Sequence, residues 1–455
     1  MNLPSARQIA QRTHRSLLST TLWRARLVLW IGGAAVGGMA VAFARCADLA
    51  LAALHRMTHF AYWLPYILAP VGFAVINLLT RRYFAGAEGS GIPQTIFALS
   101  PDAGAAGERL LRLRVAVGRM GLAIAGLLCG GSIGREGPTV HVGAIITRAM
   151  TRFMPHGGTD AQRRAMILAG GAAGVSAAFN TPLAGIVFAI EELSRSFEER
   201  ASGTVLTAVI IAGVIAIALL GDYTYFGQPG IVKVPGGLAA TTLCVAIAGG
   251  LAGGLFSRIT LIGVTAMPGA VGRLRRERPI LFAFLCGVVV AGLAAGCGGL
   301  TYGTGYDEAR SILEAGAHLP WYYAPARAAA TLSAFFSGIP AGILSPSLSV
   351  GAGLGQALAD LMHEPSAVPF AILGMCGYLA GVTQAPLTSL VIVMEMTTQH
   401  AMILPLMITA TIATAVSKLL TPPLYQTLAQ RYATPQAAAP AITAQPPEGN
   451  SELEK

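Results

Sequence analysis

Long apolar stretches separated by short polar segments run along most of the chain. Four of them, 27–44, 203–220, 238–256 and 279–296, are apolar enough and long enough to cross a bilayer as helices, which takes roughly 20 residues. The first follows several arginines and has no small-residue cleavage site leading into a soluble domain, so we interpret it as an uncleaved helix. The pattern therefore predicts an all-α polytopic membrane protein.

Glycine and proline interrupt these apolar stretches. The chain has 55 glycines and 26 prolines, and some of them fall together at 89–93, 130–138 and 338–346. Non-helical backbone at membrane depth is tolerated only where protein or a water-filled cavity covers it. We therefore predict tilted, broken helices that stop and start inside the membrane, and each break marks a candidate wall of a transport pathway.

Two pairs of segments repeat at nearly the same spacing. Segment 134–143 matches 342–351 at both end glycines, at a proline and at the hydroxyl residue after it, and both 182–191 and 386–395 begin with Pro-Leu and end with Glu. Two matches in register indicate duplication, although common small-residue packing motifs are the alternative. We expect two inverted halves with a substrate site at their interface, although the residues alone do not determine the orientation.

These patterns divide the chain into five parts. Arginines before the first helix and at 273–278 favour a cytoplasmic location for those regions, and the Ala-, Pro- and Gln-rich C-terminus has a composition that cannot bury a core. The predicted parts are a cytoplasmic N-terminal segment at 1–26, a first membrane repeat at 27–220, a connecting loop at 221–237, a second membrane repeat at 238–432 and a disordered cytoplasmic tail at 433–455.

Composition excludes several classes of function. Hydrophobic residues make up 54% and charged residues 11% of the chain, which is unlike a soluble domain. The net charge of +10 comes from basic residues between apolar spans, so no nucleic-acid partner is predicted. Six singly scattered cysteines, interpreted as reduced core thiols, predict neither a metal site nor disulfides, and no cofactor is expected. The chain lacks the H-E-x-x-H zinc motif, so we expect no enzyme, with an intramembrane enzyme as the remote alternative.

The sequence G-S-G-I-P at 89–93 is the first candidate anion site. A hydroxyl between two glycines just before a proline is typical of a helix start with close backbone approach. Helix N-termini offer unpaired amide donors and partial positive charge, which can hold a small anion without a full cation. The alternative interpretation of Ser90 is an ordinary helix N-cap.

The sequence G-R-E-G-P at 134–138 has the same form with an acid in place of the hydroxyl. An ionisable group between apolar segments is costly and usually functional. If the two helix starts converge, the Glu136 carboxylate occupies the place an anion would take, and protonation releases it. Alternatively, Glu136 complements a helix dipole or pairs with Arg135 at a surface.

Together these motifs resemble a known family. G-S-G-I-P at 89–93, G-R-E-G-P at 134–138 and G-I-L-S-P at 342–346, in that order, are similar to the anion-site signatures of CLC chloride channels and chloride/proton antiporters, of the bacterial type without CBS domains. The resemblance covers about residues 27–428.

The resemblance implies roles for individual residues. Ser90 and Gly91, the backbone of Ile343 and Leu344, and the hydroxyl of Tyr425 would bind the anion. Leu344 stands where the family usually has phenylalanine, which puts the packing near the gate in doubt. Without the resemblance, Tyr425 would be interpreted as an interfacial tyrosine at the end of a span.

The resemblance also implies proton coupling. Glu136 would be the gating glutamate, and Glu192, by its spacing from Asn180 and Pro182, would be the internal proton acceptor. Together they predict H⁺/Cl⁻ exchange, with a passive chloride channel as the alternative. For Glu192 the other interpretation is a solvated acid near Arg195; for Arg119, expected to supply positive potential, it is a positive-inside loop arginine.

The expected partners are chloride and protons as transported ions and the lipid bilayer, and the expected location is the bacterial inner membrane. The resemblance further implies a homodimer. Four segments are predicted to form its interface: 182–193, 203–220, 386–397 and 402–420.

Overall fold

The computed structural model describes residues 19–194, 199–221, 225–227 and 238–433. In the first part of the chain the helices are α1 (Thr20–Phe60), α2 (Pro65–Tyr83), α3 (Ile92–Leu99), α4 (Gly104–Leu110), α5 (Leu113–Leu128), α6 (Glu136–Met150), α7 (Asp160–Phe179), α8 (Pro182–Phe188) and α9 (Glu199–Leu220). In the second part they are α10 (Leu238–Thr265), α11 (Gly269–Glu277), α12 (Pro279–Gly296), α13 (Tyr306–Ala315), α14 (Tyr323–Phe336), α15 (Leu344–Leu361), α16 (Val368–Thr383), α17 (Pro386–Thr397), α18 (Ile403–Leu420) and α19 (Leu424–Gln430). The predicted all-α architecture is confirmed.

Five helical segments are long and apolar enough to span a membrane: Thr20–Phe60, Gly203–Leu220, Ala240–Thr265, Pro279–Gly296 and His400–Leu420. They include all four stretches predicted from the sequence. The first helix begins at Thr20 and therefore overlaps the predicted N-terminal segment. Residues 1–18, most of the connecting loop and residues 434–455 lie outside the described part of the chain, so the predictions for them stay predictions.

Several helices are much too short to cross a bilayer, as the Gly/Pro pattern predicted. Helix α3 has 8 residues, and α8 and α19 have 7 each. Helix α8 continues into a π-helical turn at Ala189–Ser194. Such turns often occur at functional sites, and this one carries Glu192.

The two halves share one packing scheme. In the first half α1 packs on α9, α9 on α7 and α7 on α6; in the second half α10 packs on α18, α18 on α16 and α16 on α15. The closest helix crossings repeat too, because a Cβ on Gly143 would overlap the Gly170 carbonyl and a Cβ on Gly351 would overlap the Gly374 carbonyl. Only glycine allows backbones to approach this closely.

Reciprocal contacts join the halves. The Glu395 carboxylate accepts the Leu183 and Ala184 amides at 3.2 and 2.7 Å, and the Glu191 carboxylate accepts the Leu387 and Thr388 amides at 3.1 and 2.6 Å. Each acid near the C-terminus of its helix therefore caps the N-terminus of the helix from the other half, so α8 and α17 run antiparallel. The two contacts are therefore reciprocal, which is compatible with inverted halves. The inversion of the two halves as wholes stays a prediction.

Two buried arginines form another equivalent pair. Arg119 donates to the carbonyls of residues 86, 88 and 89, before α3, and Arg327 donates to the carbonyls of residues 300, 302 and 303, before α13. Both side chains are fully buried. They are separated by the same spacing as Gly134 and Gly342. Each arginine thus shapes the loop that precedes a short helix.

The cysteines follow the prediction only in part. All six are free thiols; four are buried, Cys244 is partly exposed and Cys46 is exposed on α1. The interpretation of Cys46 as a core residue is therefore wrong, because its position on the long first helix faces outward.

Candidate functional site

Backbone hydrogen bonds join the loops that precede three helices. The Gly89 amide donates to Ile339 and the Ala341 amide donates to Gly89, both at 3.0 Å. Gly134 and Gly342 exchange bonds of 2.7 and 3.2 Å. The starts of α3, α6 and α15 therefore meet, and they come from both halves of the chain. The first-turn amides of a helix have no partner within the helix, so this point gathers amide donors and the positive ends of three helix dipoles.

Ser90 lies at the start of α3, but it is not the helix cap. The N-cap is Gly91, in a left-handed conformation at φ +98°. A Cβ on Gly91 would lie 2.8 Å from the His141 Cβ and 2.9 Å from the Gly137 carbonyl oxygen, so α3 packs directly on α6. The N-cap interpretation of Ser90 is wrong, because the chain turns through Gly91 and leaves the buried Ser90 hydroxyl beside α6.

Tyr425 lies in α19 and is fully buried, so its interpretation as an interfacial tyrosine is wrong. Helix α19 packs against α3, and the Tyr425 phenol lies near the Ser90 hydroxyl and within electrostatic reach of the carboxylates of Glu192 and Glu136. Within the described residues, neither the Tyr425 hydroxyl nor the Ser90 hydroxyl has a hydrogen-bond partner of good geometry. Buried polar groups are nearly always hydrogen-bonded. Two such hydroxyls side by side fit a site for a polar or anionic group.

Glu136 is the first residue of α6 and is fully buried. Its Oε1 accepts a hydrogen bond from the Ser345 hydroxyl at 2.5 Å and another from the Tyr225 hydroxyl at 3.4 Å. Arg135 pairs instead with Asp48, at 2.9 Å. The interpretation of Glu136 as a surface partner of Arg135 is therefore wrong, whereas its position in the first turn does complement the helix dipole.

Ile343 and Leu344 form the start of α15. Ile343 is the N-cap, Leu344 is the first helical residue, and both side chains are buried. Their backbone amides therefore belong to the group of helix-start donors described above. The position fits their predicted backbone role, which depends little on whether residue 344 is leucine or phenylalanine.

Glu192 lies in the π-helical turn after α8 and is 1% exposed, so it is not a solvated acid. Its own carbonyl accepts a hydrogen bond of 2.8 Å from the Gln426 side chain, next to Tyr425. Arg195, the partner in the alternative interpretation, lies outside the described residues. Glu136 and Glu192 both lie within electrostatic reach of the buried Tyr425 phenol.

The sequence analysis did not predict the positions of three residues at the site. Ser345 and Tyr225 bind Glu136, and nothing in the sequence pattern of the connecting loop indicated the second contact. Arg119 was expected to act through its charge, with a loop position as the alternative; it lies inside α5, so the loop interpretation is wrong. Its spacing to Arg327 was the signal that could have revealed its structural role.

The arrangement can bind a small anion and exchange a proton. Amides and hydroxyls inside a dry site replace the water that an anion loses, and a carboxylate in the same place competes with that anion and can carry a proton. Among the described residues, no group of three His, Cys, Asp or Glu side chains could hold a metal ion.

Comparisons with known proteins show the family to which the chain belongs. The family profile described as voltage gated chloride channel matches residues 72–418. The chain is 33% identical over 399 residues to an H⁺/Cl⁻ exchange transporter, ClcA, of Klebsiella pneumoniae, covering 85% of this chain and 81% of that protein. It is 29% identical to a putative chloride channel protein, ClcB-like, of Ralstonia nicotianae, covering 76% and 81%.

Solved structures share the fold. A slow cyanobacterial Cl⁻/H⁺ antiporter superposes with a TM-score of 0.80 at 24% identity, covering 91% of this chain and 99% of that one. A CLC-type fluoride/proton antiporter superposes with a TM-score of 0.73 at 20% identity, covering 93% and 99%. The chain is a multi-pass membrane transport protein and not an enzyme, and it belongs to the voltage-gated chloride channel (CLC) family.

Proposed function

We propose that this protein exchanges chloride for protons across the membrane. The observation that carries the proposal is that Ser90 and Glu136 lie where three helix starts meet, with Tyr425 in the helix α19 that packs on α3 and Glu192 in a π-helical turn that contacts both α3 and α19. Two buried hydroxyls and several amides supply donors for an anion, and two buried acids supply proton carriers. A pathway that only conducted anions would need the donors but would not need a second buried acid.

The anion is held by neutral donors. Ser90 and Tyr425 offer hydroxyls, and the starts of α3 and α15, at Gly91 and at Ile343 and Leu344, offer amides. Because these groups are neutral, a monovalent anion binds without the strong attraction of a full countercharge, which would slow its release. Chloride is the proposed anion because Ser90 and Tyr425 match the chloride type of the resembled family.

Proton transfer is assigned to the two acids. Ionised Glu136 competes with chloride for the helix-start donors; once protonated, it no longer attracts them and leaves the site to chloride. Glu192 takes up protons on the cytoplasmic side and supplies them to Glu136. Alternate occupation of the same donors by chloride and by the Glu136 carboxylate couples the two fluxes. The relative named as an H⁺/Cl⁻ exchange transporter supports exchange of the two ions.

Variants of the two acids test the mechanism. In proteoliposomes with an outward-directed chloride gradient, the unmodified protein should take up protons against their own gradient. Glu192→Ala should lose proton uptake while chloride flux continues, because the anion donors are intact. Glu136→Ala should also lose proton uptake. Glu277→Ala is the matched control, because Glu277 is exposed at the end of α11, and it should behave as the unmodified protein.

A passive chloride channel is the second candidate, since one relative is named a putative chloride channel protein. Chloride flux without any proton movement in the unmodified protein would favour the channel. Proton uptake that survived in both acid variants would show that other groups carry the protons, and the assigned roles would be wrong.

We also propose that the protein works as a homodimer in a bacterial inner membrane. Segments 182–193, 203–220, 386–397 and 402–420 carry exposed apolar side chains, among them Leu404 at 68% and Leu387 at 55% exposure, and the helices of these segments pack together. Cysteine cross-linking should join protomers through these segments. Cross-links confined to other helices would contradict the proposed interface.

A further inference from the structure

We propose that Tyr225 and Ser345 are positioning residues for the Glu136 gate: they hold its ionised carboxylate in the site and thereby limit how readily chloride replaces it. The proposal rests on the proposed function of Glu136. It goes further because neither residue had an expected role. Ser345 is part of the third motif but was not among its predicted anion ligands, and Tyr225 lies in the loop that connects the two halves.

The first observation is the hydrogen bonding of one carboxylate oxygen. Glu136 Oε1 accepts from Ser345 Oγ at 2.5 Å and from Tyr225 OH at 3.4 Å, and all three side chains are at most 2% exposed. Hydrogen bonds to an ionised acceptor are shorter and stronger than bonds between neutral groups. In a buried site with few water molecules to replace them, these two hydroxyls stabilise the ionised carboxylate where it stands.

The second observation is that Tyr225 is firmly packed. Its ring meets Phe179 edge-on at 5.7 Å and Tyr306 edge-on at 5.0 Å between centroids, and the Arg135 guanidinium lies 5.7 Å from its centre. Phe179 belongs to the first half and Tyr306 to the second. The neighbouring Phe226 amide donates to the Met396 carbonyl at 3.1 Å. Such packing fixes the direction of the phenol, so the hydroxyl is held near Glu136.

The third observation is that the three partners come from different parts of the chain. Glu136 begins a helix of the first half, Ser345 lies in the first turn of α15 in the second half, and Tyr225 belongs to the connecting segment. When the Glu136 side chain leaves, it breaks contacts to both of the other parts. The strength of these two contacts therefore contributes to the balance between a carboxylate-filled and a chloride-filled site.

The chain offers a matched control on the same helix. Ser349, one turn after Ser345 in α15, forms a buried hydroxyl pair with Tyr323 at 2.5 Å and makes no hydrogen bond to Glu136. Ser349→Ala therefore removes a buried serine hydroxyl from the same helix, and Tyr323→Phe removes a buried tyrosine hydroxyl from α14, but both leave the Glu136 carboxylate untouched.

The experiment measures chloride binding by calorimetry, and chloride flux in proteoliposomes, for Ser345→Ala, Tyr225→Phe and the two controls. Each change is made in the unmodified protein and in the Glu136→Ala background. We expect Ser345→Ala to lower the apparent chloride Kd about tenfold, and Tyr225→Phe about threefold because its bond is longer. Flux should rise in the same order. Neither change should alter binding in the Glu136→Ala background, where no carboxylate competes.

Equal effects in both backgrounds would overturn the proposal, because the hydroxyls would then act without the carboxylate. Weaker chloride binding in Ser345→Ala would also overturn it, since the serine would then bind the anion itself. Effects on chloride binding no larger than those of the two control changes would also overturn the proposal. Failure of the proposed function is distinguishable, because it would appear as chloride flux without proton movement in the unmodified protein, or as proton coupling that persists in the Glu136→Ala protein.

Discussion

The reciprocal carboxylate caps give a quantitative test of the relation between the two halves. Each of Glu191 and Glu395 accepts two backbone amides at the start of the opposite helix, with distances that agree within about 0.1 Å between the two caps. A hydrogen bond to a charged group contributes roughly 1.5–3 kcal/mol, and partial exposure favours the lower end of that range. Two such bonds are lost in each variant, so we expect Glu191→Ala and Glu395→Ala each to lower the free energy of unfolding by about 3 kcal/mol.

Glutamine makes the prediction sharper. Its side chain has the shape of glutamate but keeps only one carbonyl oxygen, and it carries no charge. Glu191→Gln and Glu395→Gln should therefore cost about half as much as the alanine changes. Unfolding titrations with sodium dodecyl sulfate in detergent micelles, followed by tryptophan fluorescence at one protein concentration, would measure all four variants, with Glu277→Ala as the exposed control.

The refuting results are specific. If only one of the two alanine variants lost stability, the two caps would not contribute equally to the free energy of unfolding. If glutamine cost as much as alanine, the loss would come from charge or from local unfolding and not from the count of hydrogen bonds. If Glu277→Ala lowered the free energy of unfolding by as much as the cap variants, the loss could not be attributed to the caps.

Three further predictions concern the site. Ser90→Ala and Tyr425→Phe should each weaken chloride binding about tenfold in calorimetry, because each removes a hydroxyl that is proposed to bind the anion. Gly137→Ala should abolish chloride binding, since its Cβ would lie 2.6 Å from both the Ser90 carbonyl and hydroxyl oxygens, whereas Gly121→Ala, with no atom within 4 Å, should bind normally. Arg119→Met should cost roughly 3 kcal/mol or more in the unfolding titration, because three buried carbonyls lose a charged donor; normal stability would contradict its role in the loop before α3.

The sequence was most informative where the physical signal is local. Apolar runs of sufficient length predicted the long spans. Glycine together with proline predicted the helix breaks at 89–93, 134–138 and 342–346. Period and composition act within a few residues of each other, so they can be interpreted without knowing what lies across the fold. The repeat of 182–191 at 386–395 was also visible, because duplication preserves spacing.

Contacts between distant segments were not predictable in the same way. The repeat of Glu191 and Glu395 was apparent, but nothing local indicated that each caps the other's helix. Tyr225 donates a hydrogen bond to Glu136 from a connecting loop that has no periodic pattern. Arg135 forms an ion pair with Asp48, which lies 87 positions away in the sequence. Serine is a common N-cap residue, but the N-cap of α3 is Gly91 and not Ser90, because the left-handed residue comes one position later. Tertiary packing decides each of these cases.

The most direct test of coupled exchange is the reversal potential of the unmodified protein in a planar bilayer with equal chloride on both sides and a tenfold proton gradient. An exchanger driven by both ions should show a nonzero reversal potential that changes sign when the proton gradient is inverted, and Glu192→Ala should return it to zero. A reversal potential of zero in the unmodified protein, with chloride current flowing, would contradict proton coupling.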